Sequence, residues 1–343
     1  MNKLRIGIIG AGRIGRVHAT SIINHVPRAR VAAISDVDLE AVRTFAAGLG
    51  IEKVTADYHD ILSDPEIDAV LICSPTNTHA TLSIEAARAG KHVFCEKPID
   101  LSVPRIRDVI DAVDAAGIKM QVGFNRRFDH NFARIRELVQ NGSLGDVQLL
   151  RITSRDPGPP PISYVKVSGG MFMDMTIHDF DMAVFQVGSP VVEVFASAAV
   201  LVDPAIGEAG DVDTAVLVLK FANGAIGVID NSRKAAYGYD QRLEVFGSKG
   251  AATAQNDTAT TVQVSTAESV TMDKPLYFFL ERYMASFSEE MRQFVDAVLD
   301  DGPTPVTVRD ALVPVLLALA AKKSVALNRP VTLAEIDAEV QPD

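Results

Sequence analysis

Through residue 124 the chain alternates short apolar, β-branched runs with longer stretches whose apolar positions recur at helical spacing. Leu4 to Ile9 reads as a strand, a helix follows from about Arg13 and must end before Pro27, and Val31 to Ser35 is a second strand. Leu39 to Leu49 is an Ala-rich helix closed by Gly50. Ala69 to Cys73 is wholly apolar, as a strand buried on both faces of a parallel sheet should be. Thr78 to Ala89 is a helix ended by Gly90, His92 to Cys95 a strand, Pro104 to Ala116 a helix stopped by Gly117, and Lys119 to Phe124 a last strand. Strand and helix in regular alternation predict an α/β fold with a doubly wound parallel sheet.

Past this point the pattern changes. One helix, about Phe132 to Gln140, precedes long alternating runs at Val147 to Ser154, Val192 to Leu201, Thr214 to Phe221, Ala225 to Asn231, Arg242 to Phe246 and Thr260 to Val264. Period-two alternation marks strands with one buried face, and Asn223-Gly224 between two of them is a hairpin signal. Helices at Glu281 to Leu299 and Ala311 to Ala326 close the chain. The expectation is therefore two domains, residues 1–124 with the parallel sheet and residues 125–343 as an α+β domain with a large, mostly antiparallel open sheet.

Composition narrows the partners. The 343 residues are 48% hydrophobic and 22% charged, which suits globular domains large enough to build cores without staples. A formal net charge of −11 opposes binding to a nucleic-acid backbone or an anionic membrane, since both need clustered Lys and Arg. The longest apolar stretch, Ala311 to Ala321, contains Pro314 and is far shorter than the roughly 20 residues a bilayer requires. The two cysteines, Cys73 and Cys95, have no paired spacing, so a reducing cytoplasm is expected.

Gly10-Ala11-Gly12-Arg13-Ile14-Gly15 lies between the first strand and the first helix, the context in which GxGxxG binds a dinucleotide. Its glycines permit a tight turn and close approach of a pyrophosphate to the helix N-terminus. Asp36 ends the second strand, placed to accept hydrogen bonds from ribose hydroxyls and to repel a 2′-phosphate, so NAD is expected over NADP. Arg13 and Arg43 are cations that soften this discrimination. Lys97, in Glu96-Lys97-Pro98, follows a parallel strand at the edge where open α/β sheets bind ligands; it can stabilise a developing alkoxide, although a surface lysine capping a strand is the more ordinary reading of that segment alone. In Gly169-Gly170-Met-Phe-Met-Asp174-Met-Thr-Ile-His178-Asp-Phe-Asp181, Asp174 and His178 are four apart and would share one helix face. A carboxylate beside an imidazole can set its tautomer and raise its basicity, which makes the pair a candidate general base; a structural pair, or a metal site with Asp181, competes with that reading, and the lack of a second nearby His weakens the metal.

Together, the glycine motif with Asp36, the run Ser74-Pro-Thr76-Asn77-Thr-His79, Glu96-Lys97-Pro98 and the Gly-Gly…Asp-x-x-x-His segment resemble the glucose-fructose oxidoreductase/inositol dehydrogenase (Gfo/Idh/MocA) family over nearly the whole chain. Asp174 to Asp181, and Tyr237-Gly-Tyr239-Asp-Gln-Arg242 followed by Gly247-Ser-Lys-Gly250, look most like its inositol 2-dehydrogenase branch. The resemblance implies an N-terminal Rossmann domain, a second domain whose open sheet supports a homotetramer, and Lys97, Asp174 and His178 as the catalytic group. It places Gly10, Gly12, Arg13, Ile14, Asp36, Ser74, Thr76, Asn77, His79, Glu96 and Lys97 at the cofactor.

The implied substrate is a small polyol, myo-inositol first, oxidised by hydride transfer to nicotinamide with His178 as base. Scyllo- or chiro-inositol and aldoses are the alternatives within the family, and a non-catalytic NAD(H)-binding sensor is the alternative outside it. A neutral polyol calls for several donors and acceptors, which Asn125, Arg127, Asp156 and Tyr237 can supply beside Lys97, Asp174 and His178. Tyr239 is a further candidate, with sheet packing as the competing role. The proline run Pro157 to Pro161 matches no pattern of the family.

Overall fold

A computed structural model describes residues 3–340. The chain forms two compact units, the first running to Phe128 and regaining Met284–Val313, the second comprising Asp129–Tyr283 and the chain from Pro314.

In the first unit, six strands, β1 (Leu4–Ile9), β2 (Ala29–Ser35), β3 (Lys53–Thr55), β4 (Ala69–Ile72), β5 (His92–Cys95) and β6 (Met120–Val122), pair in the order β3-β2-β1-β4-β5-β6. Every pairing is parallel. The apolar runs of β1 and β4 are buried because helices cover both faces of such a sheet. Strand order reverses at β1 and β4, so the turns leaving their carboxyl ends, at Gly10 and Ser74, flank the position where such sheets bind ligands. β3 escapes the sequence pattern because it is a short, largely exposed edge strand.

The helix Met284–Leu299 belongs to this unit, where Met291, Phe294 and Val295 complete the core formed by Ile6, Ile8, Leu71 and Phe94. The Val122 N–H donates to the Val306 carbonyl at 3.1 Å, and Thr304 Oγ1 to the Met120 carbonyl at 2.9 Å. A division of the chain at residue 124 misses this return, because an amphipathic helix does not declare which sheet its apolar face will cover. The helix predicted over Glu281 to Leu299 also begins differently, as two pieces, Phe279–Arg282 and Met284–Leu299.

The second unit carries a seven-stranded sheet. Its strands are β7 (Val147–Arg155), β8 (Val191–Ala199), β9 (Thr214–Phe221), β10 (Ile226–Ser232), β11 (Asp240–Gly247) and β12 (Gly250–Ala254); after the hairpin β13 (Gln263–Ser265) and β14 (Val270–Met272), β15 (Val331–Thr332) pairs with β8. The order is β12-β11-β7-β10-β9-β8-β15, antiparallel except for β7 beside β10. In β9, Ala215, Leu217, Leu219 and Phe221 are buried while Val216 and Val218 lie on the exposed face. Asn223-Gly224 turns β9 into β10 as predicted. The strand expected at Thr260 to Val264 is displaced into the exposed hairpin Gln263–Ser265 with Val270–Met272.

Candidate active site

The glycine loop has the shape its residues require. Gly10 has φ +93°, and a Cβ there would lie 2.6 Å from the Ser74 backbone nitrogen, so both strain and contact exclude a side chain. A Cβ at Gly15 would collide with the Gly10 carbonyl oxygen, whereas one at Gly12 would meet no protein atom within 4 Å. Gly10 and Gly15 thus serve the turn and the packing of the helix Arg13–His25, and Gly12 leaves open backbone where a ligand approaches. No side chain caps this helix, which leaves its N-terminal end suited to an anion.

Asp36 is fixed beside the loop. Its Oδ2 accepts from the Ala11 N–H at 2.6 Å and its Oδ1 from the Asp38 N–H at 3.0 Å. The open cradle at Gly12, the uncapped helix and this carboxylate fit a dinucleotide with free ribose hydroxyls.

In the turn after β4, Ser74 Oγ and Thr78 Oγ1 are 2.6 Å apart, while Thr76 is half-buried and Asn77 exposed at the start of the helix Thr76–Arg88. His79 turns inward, 2% exposed, with Nδ1 2.8 Å from the Pro98 carbonyl and Nε2 2.8 Å from the Ser74 carbonyl. Carbonyl oxygens only accept, so satisfying both requires a proton on each nitrogen. Burial opposes the cation, but the Cys95 sulfur and the two carbonyls outweigh it and lift His79 to about 9. The expected cofactor contact is therefore a buried tie between the β4 and β5 turns. Lys97 is half-buried after β5, next to a cis Lys97-Pro98 bond. Asn125 is buried with Nδ2 3.5 Å from Ser286 Oγ, and Arg127 Nη2 lies 3.7 Å from Asp310.

The second unit builds its polar cluster around Arg233, which is 1% exposed. Gly170, at φ +83°, starts the helix Met171–Asp174; its Cβ would lie 2.7 Å from Asp211 Oδ1, and the Asp211 carboxylate accepts from the Met171 N–H at 3.0 and 2.9 Å. Asp174 and His178 are the two half-buried positions in the stretch 171–180. The helix is interrupted between them at Met175. Asp174 Oδ2 accepts from Arg233 Nη1 at 3.0 Å and Oδ1 from Tyr164 Oη at 2.9 Å. Arg233 also approaches Asp156 at 3.9 Å and Asp211 at 4.0 Å. One guanidinium thus sits among three carboxylates, two of them on expected site residues.

Sequence reasoning missed Arg233, Tyr164 and Asp211, since no local spacing links them to Asp174. Asp179 accepts instead from Asn231 in a buried network with Thr176, at 2.9 and 2.6 Å. The Tyr237 hydroxyl donates to Asp240 at 2.5 Å and accepts from Arg155 at 3.3 Å. Tyr239 is core packing, its ring edge-on to Phe278 and Tyr283. Among the described residues, the metal-capable groups that come together are His18, Glu96 and Glu290 in the first unit, and not Asp174, His178 and Asp181.

Comparison with known proteins agrees with these features. Residues 4–124 match a model described as an oxidoreductase family with an NAD-binding Rossmann fold, and residues 132–253 match the GFO/IDH/MocA C-terminal domain. The chain is 51% identical to a myo-inositol 2-dehydrogenase of Thermotoga maritima, over 97% of this chain and 99% of that protein. It is 45% identical to an inositol 2-dehydrogenase of Rhizobium meliloti, over 96% and 99%. A crystal structure of scyllo-inositol dehydrogenase from Lactobacillus casei with bound NAD(H) and scyllo-inositol has a TM-score of 0.90 at 32% identity, covering 97% of this chain and all of that one. The glycine cradle with its carboxylate, the fold of each unit and these full-length likenesses identify the chain as a member of the Gfo/Idh/MocA family of oxidoreductases, with NAD as its cofactor.

Proposed function

We propose that this protein oxidises a ring hydroxyl of a cyclic polyol, myo-inositol to its 2-keto product, with His178 as general base. Full-length likeness to proteins named for inositol oxidation carries the reading. Gly10, Gly12 and Asp36 would hold the cofactor, with Arg13, Ile14, Ser74, Thr76, Asn77 and Glu96 beside it. Bound there, NAD supplies the acceptor for the hydride.

The remaining work falls to side chains. His178 takes the hydroxyl proton, and Asp174, anchored by Arg233 and Tyr164, orients or polarises the imidazole. Lys97 donates to the reacting oxygen and stabilises alkoxide charge as it develops. Asn125, Arg127, Asp156 and Tyr237 meet the other hydroxyls. The exposed sheet face with Val216, Val218, Ile226 and Phe246 supports assembly as a homotetramer, and two buried free cysteines accord with a reducing cytoplasm.

Initial rates of NADH formation with myo-, scyllo- and chiro-inositol, glucose and other aldoses test the substrate. A dominant rate with myo-inositol is expected; dominance of another polyol transfers the reading to that substrate, and NAD binding without turnover replaces it with the sensor. Activity should rise with pH as His178 loses its proton, and a flat pH profile of kcat/KM overturns its role. His178→Ala should lower kcat by about 10²–10⁴ with NAD binding retained.

A further inference from the structure

Glu290 lies on the helix Met284–Leu299, and its side chain is fully buried with no hydrogen-bond partner at either carboxyl oxygen among the described residues. It shares its surroundings with two other polar groups. His18, on the helix Arg13–His25 and also 0% exposed, has Nε2 2.6 Å from Glu96 Oε1. Ligating atoms of His18, Glu96 and Glu290 all lie within 4.8 Å of one another. Phe94 and Phe287 pack edge-on to the His18 ring at 5.2 and 5.7 Å, giving the cluster apolar walls. A Cβ at Gly123 would stand 3.1 Å from Glu96 Oε2, so the glycine makes room for the carboxylate.

Two carboxylates this close, one of them fully buried, do not both stay ionised. The Nε2 side of His18 faces Glu96, and its Nδ1 has no partner among the described residues. Burial first, and then the Glu96 charge, push the Glu290 carboxyl well above its usual range. The titratable groups that face Glu290 from the packed elements are His18 on the first helix, Cys73 after β4 and Glu96 after β5. The direct His18–Glu96 hydrogen bond is too short to enclose an ion, because atoms sharing a zinc stand about 3 Å or more apart.

We propose that His18, Glu96 and Glu290 form a buried proton-sharing triad in which neutral Glu290 and His18 both donate to the Glu96 carboxylate and so set the backbone that presents Lys97. Glu290 and His18 are then positioning residues. The proposal rests on the reading of Lys97 as catalytic only for its consequence for turnover; the protonation of Glu290 stands apart from it.

The test compares the full-length protein with Glu290→Gln and Glu290→Ala, by urea unfolding from pH 5 to 8 and by kcat and KM. A group that keeps its proton when folded and releases it on unfolding makes the unfolding constant rise with pH, by up to about tenfold per pH unit. Gln mimics the neutral acid and cannot titrate. The ratio of wild-type to Glu290→Gln unfolding constants should therefore climb with pH, while Glu290→Gln keeps kcat within about threefold and Glu290→Ala loses about tenfold or more with little change in polyol KM. Parallel stability curves for wild type and Glu290→Gln, or a stoichiometric divalent metal removable by chelator, would overturn the triad. Loss of kcat in Glu290→Gln equal to that in Glu290→Ala would overturn the positioning role. If no polyol is turned over, the unfolding curves still decide the triad, and the failure belongs to the substrate reading alone.

Discussion

The Gly10–Gly15 loop takes its shape from six consecutive residues, whereas the Asp174 carboxylate is held by Tyr164 and Arg233, 10 and 59 positions away. In the loop, the positive φ of Gly10 and the close approach of Gly15 to the Gly10 carbonyl are set within the motif, and the Ser74 backbone adds one contact from the turn after β4. Around Asp174, a buried guanidinium among Asp156, Asp174 and Asp211 does the holding, and its energetics depend on burial and on charges brought from separate strands and turns. The first arrangement is local and steric, so a motif describes it. The second is distant and electrostatic, so a motif records only its ends.

The widest separation of the two should come from adding one methyl group at each of two glycines. Gly10→Ala forces a Cβ against Ser74 and should weaken NADH binding by about 100-fold or more, with a loss of stability of about 1–3 kcal/mol from strained backbone. Gly12→Ala meets no protein atom within 4 Å, so its melting temperature should match the parent while NADH affinity still falls. Nicotinamide fluorescence titration and thermal melts decide this; equal affinity for Gly12→Ala and parent would remove Gly12 from the cofactor contact.

Arg233→Met tests the distant arrangement. It leaves carboxylates at a poorly hydrated centre without their cation, and should cost about 3 kcal/mol of stability. Arg233→Lys keeps the charge but not the planar fork, and should lower kcat by about 10-fold with NADH affinity unchanged. Unchanged kcat in a folded Arg233→Lys protein would show that Asp174 needs no such anchor.

The smallest effect concerns cofactor choice. Asp36→Asn removes the charge that opposes a 2′-phosphate while retaining an acceptor for the Ala11 N–H, and should narrow the NAD-over-NADP ratio of kcat/KM by about tenfold. An unaltered ratio would assign discrimination elsewhere in the loop.

Much of this was legible along the chain. The strands β1, β4 and β5, the glycine turn and the place of Asp36 at the end of β2 follow from period and spacing, because each is set within one or two elements. His79 shows where that reading stops. Its place a few residues beyond β4 was evident, but the inward direction of its ring depends on the Pro98 and Ser74 carbonyls, the first of them 19 residues away. Arg233 and Glu290 gave no signal, since a lone Arg at a strand end or a lone Glu on a helix looks like any solvated residue.

Along the chain alone, the alternation of strand and helix in the first unit, the glycine-built turn and the family resemblance were legible, because backbone sterics and hydrophobic period act over a few residues. Tertiary structure alone decided that Met284–Val313 returns to the parallel sheet, that Arg233 anchors Asp174, and that Glu290 is buried against Glu96 and His18. The reason is physical: burial and charge pairing are properties of what the folded chain brings together, and neither is carried by a residue before its neighbours arrive.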